Sequence, residues 1–140
     1  IDGDRIAYLG MSWGGTRAPV ILAVEDRIAL AVLTLGGARG NALPEVHASN
    51  YLPRVTMPVL MLNGRYDMNL VYETMVQPMF DLFGTPPEHK KLVLYDSDHY
   101  LPKVEATREI LAWLDRYLGS VGGAAGKSVG QEAGSGDPRP

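Results

Sequence analysis

Three residue types that together can cleave an acyl bond are spread along this 140-residue chain: a serine at position 12, an aspartate at 67 and a histidine at 99. A serine hydroxyl is a weak nucleophile at neutral pH, so the chemistry needs a base beside it, usually an imidazole. The imidazole in turn needs a carboxylate that fixes its tautomer and stabilises its cation. Spacing decides whether such residues form a site or a coincidence.

Ser12 stands in the stretch LGMSWGG, with Gly10 two places before it and Gly14 two places after. This G-x-S-x-G pattern is cheap. The chain has 16 glycines and six serines, and chance alone supplies about 0.08 matches in such a composition. A second match, GKSVG at residues 126–130, lies in a glycine-rich tail with no strand before it and no helix after, so composition accounts for it. It also fails as a phosphate-binding loop, because the required glycine five places before Gly126 is Val121. The first match has an apolar run directly before it and helix-like sequence directly after. In that context the serine occupies a sharp strand-to-helix turn with Oγ raised off the sheet. Gly10 and Gly14 give room where the two backbones nearly touch. The helix N-terminus then offers N–H groups and positive dipole to developing negative charge.

The base has three candidates. His89 sits in the charged stretch EHKK and reads as solvated, and His47 lies in a long connection where a surface position is the ordinary fate. His99 follows an apolar run by four residues, in LYDSDHYLP. Loops after the C-terminal ends of parallel strands gather on one edge of the sheet, which puts His99 on the same edge as Ser12. Asp67, in LNGRYDMN, follows another such run and reaches that edge too; Asp96 and Asp98 are its rivals because they flank His99. An immediate neighbour such as Asp98 bends back to the ring with difficulty, and loop aspartates often cap turns. Triad geometry favours Asp67.

The elements that must position these residues are readable from hydropathy. Four short, nearly continuous apolar runs predict strands: Arg5–Gly10, Ala29–Leu35, Pro58–Asn63 and Lys91–Tyr95. They do not alternate, which is the pattern of strands covered on both faces in a parallel sheet. Helical spacing fills the gaps at Thr16–Asp26, at Leu70–Phe83 with Gly84 as a C-cap, and at Lys103–Leu118. In the last of these, Val104, Ile110, Leu111, Leu114 and Leu118 are expected to share the buried face. Pro19 and Pro78 fall inside two of these helices and should bend or shorten them. The alternation predicts an α/β fold built from βαβ units. Residues 36–57 form a long connection that, with Met68 and Tyr100, would shape a pocket. From residue 119 to 140 the chain turns to Gly, Ala, Ser and Pro and is expected to be a disordered tail, leaving residues 1–118 as the folded domain.

Composition narrows the function classes. Hydrophobic residues make up 46% and charged residues 21%, a globular balance, with a net charge of −3 and no basic stripe to suit nucleic acid. There is no cysteine, so neither a disulfide framework nor a thiolate metal site can form. Three separated histidines without i, i+4 spacing suggest no metal, and serine chemistry calls for no cofactor. No apolar run is long enough for a membrane span. With no leader in the part given, the cytoplasm is the favoured compartment. The first residue is Ile1 rather than methionine; the expectation is a removed leader or the back part of a longer chain.

With these residues in view, the stretch from Arg5 to Leu118 resembles the C-terminal half of an α/β-hydrolase of the esterase and dienelactone-hydrolase-like kind. GMSWGG resembles the nucleophile elbow after the family's fifth strand, PVLMLNGRYD its seventh strand with the acid, KLVLYDSDHYLP its eighth strand with the histidine, and EILAWLDRYLG its closing helix. The order Ser12, Asp67, His99 is the family's order. The stretch is also similar to hydrolase modules that bacteria append to larger proteins. The resemblance implies about four strands with flanking helices and a small-molecule ester as substrate, cleaved through an acyl-enzyme. It implies Ser12 as nucleophile, His99 as base and then acid, Asp67 as its orienter, and the backbone N–H of Trp13 as one oxyanion donor. Two other readings stay beside it: a prolyl-oligopeptidase-like peptidase, and a non-catalytic module inside a larger fusion protein. A cysteine-nucleophile dienelactone hydrolase is disfavoured by the serine at position 12.

The sequence departs from the family in having no counterpart of its first four strands. The loop that supplies the second oxyanion donor is among the missing parts. The strand before Ser12 is therefore expected to present an exposed apolar edge, to be covered by the missing N-terminal half or by another chain. Alone, this piece is expected to be weakly active or inactive.

Overall fold

The computed structural model describes residue 3, residues 6–40 and residues 43–119. The expected tail, Gly119 apart, and the second G-x-S-x-G lie outside the described residues. Four strands, β1 (Ile6–Met11), β2 (Ile28–Thr34), β3 (Val59–Gly64) and β4 (Lys90–Tyr95), form one parallel sheet in the order β1-β2-β3-β4. The apolar runs mark all four to within about a residue or two, because a strand buried on both faces needs no polar alternation.

Two helices, α1 (Trp13–Leu22) and α2 (Gln77–Leu82), join the face of the sheet that carries Ala31, Leu33, Val59 and Met61. The third, α3 (Lys103–Leu118), packs on the opposite face against Leu30, Val32, Leu60 and Leu62. The connection from β2 to β3 folds into three short 3₁₀ turns, at Pro44–Val46, Ala48–Asn50 and Leu52–Arg54, and contributes Ala48, Leu52 and Val55 to the α1 side of the core. No helix among the described residues is long and apolar enough to cross a membrane.

Four expectations about the helices need correction. Helix α1 starts three residues earlier than Thr16 and ends at Leu22, because the turn at Ser12 is a single residue and Gly14 and Gly15 are helical. The stretch before Pro78 is a π turn at Tyr72–Val76, after which Pro78 sits in the first turn of α2, where its missing N–H costs nothing. Gly84 is not a cap. Phe83 closes α2, and a Cβ at Gly84 would run into the backbone carbonyl of Pro53. On α3 the core stripe is Ala106, Ile110, Trp113 and Tyr117, at helical spacing, whereas Val104 and Leu111 are 66% and 55% exposed.

Strand β1 ends the sheet, and its two faces differ. Ile6 and Tyr8 pack on the α1 side, while Ala7, Leu9 and Met11 point to the α3 side and are exposed. Leu9 and Met11 are 68% and 69% exposed, although the residues beside them in register, Val32 and Thr34, are buried.

Candidate active site

Ser12 links β1 to α1 in one residue. Its backbone takes φ 51° and ψ −107°, a conformation that costs a non-glycine residue energy and persists only where its surroundings impose it. They do so from both sides: the Ser12 N–H donates to Thr34 O at 2.8 Å, and Ser12 O accepts from Thr16 N–H at 2.9 Å. A serine at a helix N-cap ordinarily turns its hydroxyl onto the first turn. Here it makes no cap bond, and Oγ is free to face the histidine.

The glycines around this turn divide their roles. A Cβ on Gly10 would meet Gly14 O at 2.8 Å, so strand and helix do nearly touch there. At Gly14 a Cβ would find only the Tyr8 hydroxyl, at 4.0 Å; the second crowded position is Gly15, whose Cβ would lie 3.0 Å from the Cα of Gly36. The expected pair Gly10 and Gly14 is therefore corrected to Gly10 and Gly15. Beneath the turn, the Tyr8 hydroxyl donates to Gly14 O at 2.9 Å, and burial pushes its pKa up, which keeps the donor protonated.

His99 and Asp67 arrive from the ends of neighbouring strands. Ser12 Oγ donates to His99 Nε2 at 2.9 Å, and His99 Nδ1–H donates to Asp67 Oδ2 at 2.6 Å. A carboxylate only accepts, so it selects the tautomer in which Nε2 is free to take the serine proton. Asp67 is 2% exposed. Its other oxygen, Oδ1, accepts from the N–H groups of Asn69 at 2.8 Å and Leu70 at 3.1 Å, which locks the carboxylate before the histidine meets it.

The two loops are also tied to each other. Arg65 N–H donates to Tyr95 O at 2.8 Å and Tyr66 N–H to Ser97 O at 2.9 Å. Gly64, the last residue of β3, makes this approach possible: a Cβ there would collide with the carbonyls of Asp98 and Ser97. Asn63, fully buried beside it, donates through Nδ2 to Gly36 O at 2.9 Å and so steadies the end of β2. Sequence reasoning passed over Gly15, Gly64 and Asn63. A glycine at the end of an apolar run was the available signal for Gly64.

The other candidates lie elsewhere. Asp96 pairs with Arg65 at 3.3 Å on the surface, and Asp98 is exposed. His47 Nδ1 bonds Ser49 Oγ at 2.8 Å within its own turn. His89 is half-buried rather than solvated, with Nδ1 3.0 Å from the Tyr117 hydroxyl. Met68 and Tyr100, expected around the pocket, are 86% and 55% exposed. Trp13 begins α1, so its N–H has no partner within the helix and is available to an anion beside Ser12.

No protein-family model and no curated protein matches the chain. Solved structures do. A cold-adapted esterase from an Arctic intertidal metagenomic library superposes with a TM-score of 0.65 at 24% identity, over 80% of this chain and 49% of that one. A dienelactone hydrolase-like protein of Klebsiella pneumoniae superposes with a TM-score of 0.70 at 23% identity, over 83% and 54%. An acetyl xylan esterase from Paenibacillus sp. R4 gives 0.68 at 18%, over 84% and 46%. The chain spans about half the length of these three proteins. Its four parallel strands with flanking helices have the α/β-hydrolase fold.

Proposed function

We propose that this chain carries the nucleophile, base and acid of a serine hydrolase that cleaves carboxylic esters. The observation that carries the reading is the unbroken hydrogen-bonded path from Ser12 Oγ through both nitrogens of His99 to buried Asp67. The fold it shares with esterases supports the same reading.

In the first step Ser12 Oγ attacks the ester carbonyl carbon while His99 Nε2 takes the hydroxyl proton. The oxyanion forms beside the Trp13 N–H at the positive end of α1. As the intermediate collapses, the carbonyl carbon–alkoxide bond breaks and His99 returns the proton to the leaving oxygen. Water then repeats the sequence on the acyl-enzyme, with His99 again taking and giving one proton, and the acid leaves. Asp67 holds the imidazole through Nδ1.

The described residues offer one oxyanion donor, the Trp13 N–H, and a missing second donor costs on the order of 10²–10³ in rate. We infer that full activity needs further polypeptide, from a longer chain or a partner, which also covers the bare side of β1. The test is acylation by p-nitrophenyl acetate. The chain should release a burst of nitrophenol and carry the acetyl group on Ser12. Ser12→Ala should fold normally and show no burst; a burst of equal size in that variant overturns the assignment.

A further inference from the structure

A narrow cleft begins one residue from Ser12. It runs between α1, through Trp13, Thr16, Arg17 and Val20, and the β2–β3 connection, through Arg39, Val46 and Ala48. It has room for only one or two water-sized groups, about 30 Å³. Its walls are apolar apart from Thr16 and two guanidinium groups. Neither guanidinium forms an ion pair among the described residues.

The two arginines differ: Arg17 is exposed, and Arg39 is half-buried. Arg17 stacks over the Trp13 ring, 4.4 Å from its centroid, which uses its face and leaves its edge of N–H donors open. Arg39 reaches Asn69 O through Nη2 at 3.5 Å, and its Nε is buried with no hydrogen-bond partner. A buried unpaired donor on a cation is costly. Ligand oxygens would remove that cost, and the planar fork of a guanidinium matches a carboxylate in shape.

We propose that this cleft binds a carboxylate, so that the preferred substrates are short esters bearing a free carboxylate on the part of the molecule next to Trp13. The inference rests on the reading of Ser12 as nucleophile for its meaning as a substrate site, and on the cleft alone for binding. The small volume takes no more than the carboxylate group itself and excludes a bulky acyl group. Two arginines with no ion-pair partner among the described residues would draw an anion to this position.

The test separates binding from turnover by using the full chain as the Ser12→Ala variant. Tryptophan fluorescence is titrated with monomethyl glutarate and with dimethyl glutarate, with Trp13→Phe as the control that assigns the signal. The monoester should bind roughly 10- to 100-fold more tightly than the diester, the range of charge-assisted hydrogen bonds. The gap should close in Arg39→Met, which keeps the aliphatic stem, and in Arg17→Gln. Equal affinity for the two esters, no response to either, or a preference unchanged in both arginine variants overturns the proposal. A wild-type chain that is acylated at Ser12 but treats both esters alike loses the anion cleft and keeps its nucleophile. One that prefers the monoester but is never acylated keeps the cleft and loses the nucleophile.

Discussion

Strands β1 and β3 each deliver a residue of the candidate triad, yet they are enclosed very differently. All six residues of β3 are buried, with partners on both edges and packing on both faces. Strand β1 has one paired edge and one packed face, and it shows Leu9 and Met11 to solvent on the other. The geometry around Ser12, His99 and Asp67 therefore depends on the enclosed side of the sheet. Ser12 is held by Thr34 O on β2 and by the start of α1, not by anything on the bare side of β1. That bare side has the apolar character of a covered surface, and the exposed Val104 and Leu111 belong to the helix on the same side of the sheet.

The comparison can be broken in four places, from the strongest effect down. Asp67→Asn, just past β3, keeps an oxygen for the Asn69 and Leu70 N–H groups but turns a donor toward His99 Nδ1, which forces the wrong tautomer. Acylation by p-nitrophenyl acetate should fall by on the order of 10⁴ with the fold intact. Leu60→Ala in β3 opens a cavity beneath α3 and should cost about 2–5 kcal/mol in urea unfolding. Tyr8→Phe, on the packed face of β1, removes the hydrogen bond to Gly14 O and should cost about 1 kcal/mol by the same measurement. Leu9→Ala, one residue on and on the bare face, should change the stability of this chain by less than about 0.5 kcal/mol. If Leu9→Ala costs as much as Leu60→Ala, the bare face is already buried in the protein as purified.

Alkaline unfolding sharpens the same contrast. Burial raises the Tyr8 pKa above its unfolded value, so its contribution is present below the ordinary tyrosine range and is lost as pH climbs through the raised value. Wild type should therefore lose stability at high pH more steeply than Tyr8→Phe.

Much of the fold was legible because burial on two faces writes itself as an unbroken apolar run. LNGRYD and LYDSDH could be assigned to one edge because parallel strands put their following loops together. What stayed hidden was the detail that depends on neighbours distant in sequence. Gly15 looks like a turn glycine and is helical, because only the arrival of Gly36 makes its missing Cβ matter. Gly84 looks like a cap and is a point of close approach to Pro53. Trp113 and Tyr117, rather than Val104 and Leu111, face the sheet, a choice that helical period alone leaves open when apolar residues ring the helix. Arg17 and Arg39 are 22 positions apart, and nothing local announces that both line one cleft.

The proposed activation of Ser12 depends on its link to His99 and, through it, to Asp67. Treatment with a fluorophosphonate, followed by peptide mapping, tests it most directly. A single adduct is expected on the peptide containing Ser12 in the wild-type chain, with its loss in folded His99→Ala. An adduct formed equally fast in both proteins, or found on another serine, would contradict it.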